Sequence, residues 1–99
     1  MGKIVHIVLW KLKGPVSNHE AAKKAIGALL KVPGPEKATL GPPLLDARAK
    51  GFDYGLYSIF SSAEALQTYA VSEAHVSVVT NNVKPNVDEL LAYDFELDE

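Results

Sequence analysis

No cysteine occurs among the 99 residues, which excludes disulfides, thiolate zinc sites and cysteine nucleophiles. A dominant charge sign is missing as well. Ten basic side chains stand against twelve acidic ones, for a formal charge of -2, and no basic block offers a footprint for phosphates. A nucleic-acid partner is therefore not expected. No apolar run approaches the roughly 20 residues of a membrane span. The amino terminus lacks the layout of a secretory signal, and His6 stands where a myristoylation signal needs Ser or Thr. The expectation is a cytoplasmic protein without a membrane partner, forming one domain over residues 1–99. Gly14, Gly27, Gly34 and Gly41 do not form a phosphate-loop spacing, no two histidines sit at metal-ligand spacing, and no Ser-His-Asp order is persuasive. No metal site is expected.

What the chain does contain is a first strand, Lys3 to Lys13, that is apolar on both sides. Side chains alternate along a strand, so Val5, Ile7 and Leu9 share one face while Ile4, His6, Val8, Trp10 and Leu12 share the other. Both faces need cover. The histidine within this run needs a hydrogen-bonding partner if it is buried. Two expectations follow: a second copy of the chain over one face, and a polar pocket under the other.

Gly14-Pro15 ends this strand. Ser17-Asn18-His19-Glu20 has capping-box spacing, and Ala22, Ile26, Leu29 and Leu30 recur at helical intervals up to about Lys31. Pro33-Gly34-Pro35 stops that helix. Ala38, Leu40, Leu44 and Leu45 suggest a second strand interrupted by Gly41-Pro42-Pro43, hence an edge or bulged strand. Ala47 to Gly51 reads as a turn and Phe52 to Phe60 as a third strand. Ser61-Ser62-Ala63-Glu64 is a second capping box before Ala65 to Ala70, and Ser72 opens a further short helix towards Asn81-Asn82. Leu90 to Leu97 closes the chain as a strand, with Ala92, Asp94 and Glu96 on its solvated face.

The order is β-α-β-β-α-β: an α+β, ferredoxin-like plan with a four-stranded antiparallel sheet and helices on one face. Val5, Ile7 and Leu9 would line the bare face. Packing two such faces together gives a homodimer in the form of a dimeric α/β barrel, which removes the patch from water.

Val5 to Lys13, Lys50-Gly51-Phe52-Asp53-Tyr54, Ala65-Leu66-Gln67-Thr68-Tyr69 with Ala74-His75-Val76, and Tyr93-Asp94-Phe95 together resemble the stress-responsive A/B barrel (Dabb) family over essentially the whole chain. The resemblance implies a dimeric barrel. Members of that family that act as plant polyketide cyclases close a linear chain by intramolecular aldol condensation, without metal or organic cofactor. Their functional residues are a histidine in the first strand, a tyrosine late in the second helix and a histidine shortly after it, positions held here by His6, Tyr69 and His75. The chain departs from those cyclases in a shorter first helix and in Tyr54, which stands where they carry another imidazole.

The resemblance implies that His75 is a general base, Tyr69 a proton donor to the forming enolate or alkoxide, and His6 a hydrogen-bonding partner of His75 or of substrate. Val8, Trp10, Ile26, Leu30, Tyr54 and Leu56 are assigned to an apolar substrate wall. The expected function is cofactor-free enolate chemistry on an apolar polyketide or phenolic substrate. Plainer roles stand beside these: His6 as a satisfied core residue, Tyr69 as a core ring with its hydroxyl at the rim, and His75 on a helix surface. His19 is expected to be simply exposed, and Asp46 and Asp53 to serve turns and strand ends. A non-catalytic protein holding an apolar small molecule is the alternative function. Fold analogy alone adds cofactor-free monooxygenases and haem-degrading enzymes, with His75 as a haem ligand.

Overall fold

Strand β1 (Ile4–Leu12) forms first in the chain and lies inside the sheet. The computed structural model, which describes residues 2–98, adds β2 (Lys37–Gly41), β3 (Tyr54–Phe60) and β4 (Val87–Glu96). The four strands run antiparallel in the order β2-β3-β1-β4, the ferredoxin-like arrangement. Between them lie α1 (His19–Ile26), α2 (Ala63–Val71) and α3 (Glu73–Val78). A 3-10 segment, Gly27–Lys31, carries the first helical stretch to the expected end. After α3 the backbone widens into a π turn, Val79–Val83, and then tightens into a 3-10 turn at Lys84–Asn86, where Pro85 cannot extend a helix.

Alternation sorts the sheet as β1 foretold. On the helical side, Trp10, Leu12 and Leu56 pack with Ala22, Ile26, Leu29 and Val83. A second cluster joins Val32, Phe60 and Tyr69. The register pairs Ile4 with Phe60, His6 with Ser58, Val8 with Leu56 and Trp10 with Tyr54, so these residues share that face. The opposite face carries Val5, Ile7 and Leu9 with Ile59, Tyr57 and the β4 residues Phe95, Tyr93 and Leu91. Tyr93 there is 62 % exposed, and Tyr57, Leu91 and Phe95 are exposed with it.

Several local expectations are corrected. The Ser17–Glu20 capping box does not form: Val16–Asn18 is a 3-10 turn, and Asn18 precedes α1 with φ -95° and ψ -4° and no side-chain cap. A capping hydroxyl needs an extended backbone at its own residue, which this turn denies. In the second box the cap is Ser62, whose Oγ accepts from Ala65 N at 3.1 Å, which puts Ala65 rather than Glu64 at the third helical position. Leu44 and Leu45 do not continue β2; Pro42 and Pro43 have no N–H for the ladder, and Leu44 is left exposed. β3 begins at Tyr54 rather than Phe52, and β4 reaches back to Val87 across a register shift opposite Lys11 and Leu12.

Candidate active site

His6 sits mid-way along β1 on the helical face, with its side chain only 14 % exposed. Ser58 of β3 lies on one side and Asp94 of β4 on the other. Ser58 Oγ donates to the His6 backbone carbonyl at 3.0 Å, which satisfies a buried hydroxyl without engaging the imidazole. His6 Nδ1 hydrogen-bonds Asp94 Oδ1. An ionised carboxylate can only accept, so Nδ1 carries the proton and Nε2 is the basic nitrogen of the neutral ring. A carboxylate behind an imidazole also stabilises the imidazolium that forms when the ring takes up a proton. Asp94 is therefore not merely part of a solvated strand face.

The pair opens onto a cavity of about 450 Å³ between β1, β4 and α2. Ile4, Ala63, Leu66 and Ala70 supply apolar lining; Gln67, Asp94 and Glu96 join His6 as its polar groups. Sequence reasoning did not place Asp94 and Gln67 at this cavity. The signal for Asp94 was available: in this topology β4 runs antiparallel beside β1, and Asp94 has the parity that places it on the histidine's face.

Tyr69 and His75 lie elsewhere. The Tyr69 ring is buried against Phe60, with centroids 4.9 Å apart, and the edge of Phe60 meets His6 at 5.9 Å. His75 packs on the far side of Tyr69 at 4.4 Å. The rings form one row, His6–Phe60–Tyr69–His75, in which Phe60 separates the two ends. Burial raises the Tyr69 phenol above its ordinary value, so it remains a proton donor throughout the neutral range. Ser72 holds the elbow between α2 and α3: its Oγ accepts from His75 N at 3.2 Å and donates to the Tyr69 carbonyl at 2.8 Å. His75 Nδ1 lies 3.0 Å from the Ala70 carbonyl, which can only accept, so this imidazole too presents Nε2 as its base. Tyr69, Thr68 and Ser72 line a second cleft of about 390 Å³ with Pro33, Gly34, Ala65 and Ala74.

The six residues assigned to a substrate wall are placed in and around the main core. Trp10, Ile26 and Leu56 are fully packed, Val8 and Tyr54 adjoin them, and Leu30 is 47 % exposed. None of the six lines the His6 cavity. Burial, and then the charge of Glu20, raise the Tyr54 phenol. His19 is not a free surface residue: its ring lies 3.2 Å from the Gly14 carbonyl and 3.8 Å from Asp53 Oδ2. Asp53 Oδ1 meanwhile accepts from Leu12 N at 2.8 Å, the strand-end role expected of it. Among the described residues, no group of three or more His, Asp or Glu is placed to hold a metal ion, and no helix is long and apolar enough to cross a membrane.

A β-α-β-β-α-β sheet with one bare apolar face and a histidine–carboxylate pair on the other defines the class: a ferredoxin-like α+β domain. Residues 4–97 match the model of the stress responsive A/B barrel domain. The chain belongs to that family. No match was found in a search of curated proteins. Among solved structures, a Dabb family protein from Mesorhizobium loti superimposes with a TM-score of 0.82 at 20% identity over 100% of both chains. A dimeric protein of unknown function from Bacteroides fragilis gives 0.79 at 22% identity, covering 98% of each chain. Hydroxynitrile lyase from Passiflora edulis gives 0.79 at 19% identity, covering 99% of this chain and 95% of that one. At these identities the likenesses establish the fold.

Proposed function

We propose that this protein is a cofactor-independent acid–base enzyme acting on an apolar polyketide or phenolic substrate, by aldol-type cyclisation or a related enolate reaction. The observation that carries the reading is the His6–Asp94 pair on the wall of an open, mostly apolar cleft. His6 Nε2 removes a proton from carbon between two carbonyls, or from a hydroxyl, and Asp94 stabilises the resulting imidazolium. Carbon–carbon bond closure then follows from the enolate, and His6 returns the proton. The base role passes from His75 to His6 because a carboxylate backs His6, whereas His75 is backed only by a neutral carbonyl. Tyr69 lines the outer cleft, where its phenol is a donor, and His75 packs against its ring.

The Passiflora edulis neighbour is a lyase of the same fold, and breaking a cyanohydrin also begins with proton removal from oxygen. That kinship supports the general chemistry. The functional unit is a homodimer: Tyr57, Leu91, Tyr93 and Phe95 form an exposed apolar sheet face, and the Bacteroides fragilis neighbour is dimeric.

A second reading, a non-catalytic holder of an apolar molecule, draws on the ring row itself, since Tyr69 packed between Phe60 and His75 also makes a stable core. Turnover of poly-β-ketone substrates separates the two. His6→Ala should reduce the rate by about a hundred- to ten-thousand-fold in a folded dimer. An unchanged rate removes His6 from the chemistry, and no turnover of any such substrate by the parent protein favours the holder.

A further inference from the structure

We infer that the cavity beside His6 selects uncharged substrates bearing hydroxyl donors and discriminates against those with a carboxylate or phosphate at the reacting end. This rests on the reading of that cavity as the substrate site, and it adds a substrate class to it.

The charge arrangement carries the argument. On β4, Asp94 and Glu96 alternate onto the helical face, opposite His6 and Ile4 of β1. Both carboxylates line the cavity, and among the described residues no Lys or Arg does. Both are exposed, and each is tethered by a hydrogen bond. Asp94 is tied to His6, and Glu96 Oε2 accepts from Gly2 N at 2.5 Å. An anion entering here meets two tethered like charges on the cleft wall, and the neutral His6 ring offers it no countercharge.

The hydrogen-bonding inventory points the same way. His6 Nε2, Asp94 and Glu96 offer acceptors, and only Gln67 of α2 supplies both a donor and an acceptor. The complementary ligand therefore brings its own donors, as phenols and enols do. The remaining lining, Ile4, Leu66 and Ala70 among it, suits an aromatic or aliphatic body.

The test uses the intact protein and a matched pair of probes, methyl vanillate and vanillate, which share a ring and a phenol but differ in charge. Binding is followed by amide NMR shifts near neutral pH. The expected result is saturable shifts centred on His6, Gln67 and Asp94 with the ester, and at least tenfold weaker binding of the carboxylate. Glu96→Gln should narrow that gap by a factor of about three or more. Equal or tighter binding of vanillate overturns the proposal. So does a gap that Glu96→Gln leaves untouched, a set of shifts centred elsewhere, or no binding of either probe. Turnover is not read in this experiment, so the two readings fail separately. Failure of the separate turnover assay sinks the enzyme and leaves the selectivity, whereas a preference for anions here sinks the selectivity and leaves the acid–base chemistry.

Discussion

His6 and Asp94 face each other across the β1–β4 ladder, and the hydrogen bond between Nδ1 and Oδ1 fixes which imidazole nitrogen can act as a base. The pair is built from backbone pairing rather than from a loop, so its geometry is as rigid as the sheet itself.

Replacing Asp94 with Asn should therefore damage the reaction more than the fold. An amide at that position can offer a donor to Nδ1 and favour the wrong tautomer. The rate on a poly-β-ketone substrate should fall by about a hundredfold or more, while the thermal midpoint moves little because Asp94 is 44 % exposed. Comparison of turnover with a melting curve checks this; a rate within threefold of the parent would show that Asp94 does not orient the base.

Gly34 is needed where it stands. Its φ of 141° lies in a region that L side chains rarely adopt, and a Cβ there would come within 2.8 Å of Tyr69 Cδ1. Gly34→Ala should lower unfolding stability by roughly 1–3 kcal/mol, from backbone strain and displacement of the buried tyrosine. Urea denaturation measures it.

The buried Tyr69 phenol gives a sign to the alkaline limb of stability. Its folded value is raised above the unfolded value near 10, so the protonated ring's contribution is fully present below about pH 10. It is lost as pH rises through the folded value, because ionisation then favours the unfolded chain. Tyr69→Phe should flatten the fall in stability above about pH 10 while leaving neutral pH changed by about 1 kcal/mol or less. A residual slope is expected from Tyr54, whose phenol is also raised.

Ser72 serves two helices at once, ending α2 and capping α3. Ser72→Ala should cost about 1 kcal/mol and loosen His75, whose amide it accepts at 3.2 Å. Hydrogen exchange at the His75 amide should accelerate without a matching change at the core amides of β1.

The exposed sheet face predicts assembly. Tyr93→Lys with Phe95→Glu should convert a dimer to a monomer at micromolar concentration, as read by sedimentation, because each change puts charge onto a surface that a second copy must desolvate. A parent protein that already sediments as a stable monomer would exclude the homodimer.

Much of the fold was legible because it depends on short-range patterns. The period-two alternation of Val5, Ile7 and Leu9 against His6, Val8 and Trp10 set the two faces of β1, and Pro42-Pro43 marked β2 as an edge. Ser72 was recognisable as a cap because its hydroxyl acts on an amide three residues away. The site was less legible. The family resemblance grouped His6, Tyr69 and His75, yet Phe60 stands between the first and the other two. Helical and strand periods give the side of an element a residue faces; they do not say which large ring from a third element will occupy the space between.

By itself the sequence determined the element order, the faces of the sheet and the presence of a histidine beneath the helices, since alternation, caps and breakers act over a few residues. Tertiary structure alone decided that Asp94 partners that histidine, that Glu96 joins it at the cavity and that His19 is held at Gly14 and Asp53. Such pairings join residues from opposite ends of the chain or from different elements. They depend on strand register and helix packing, which no local pattern encodes.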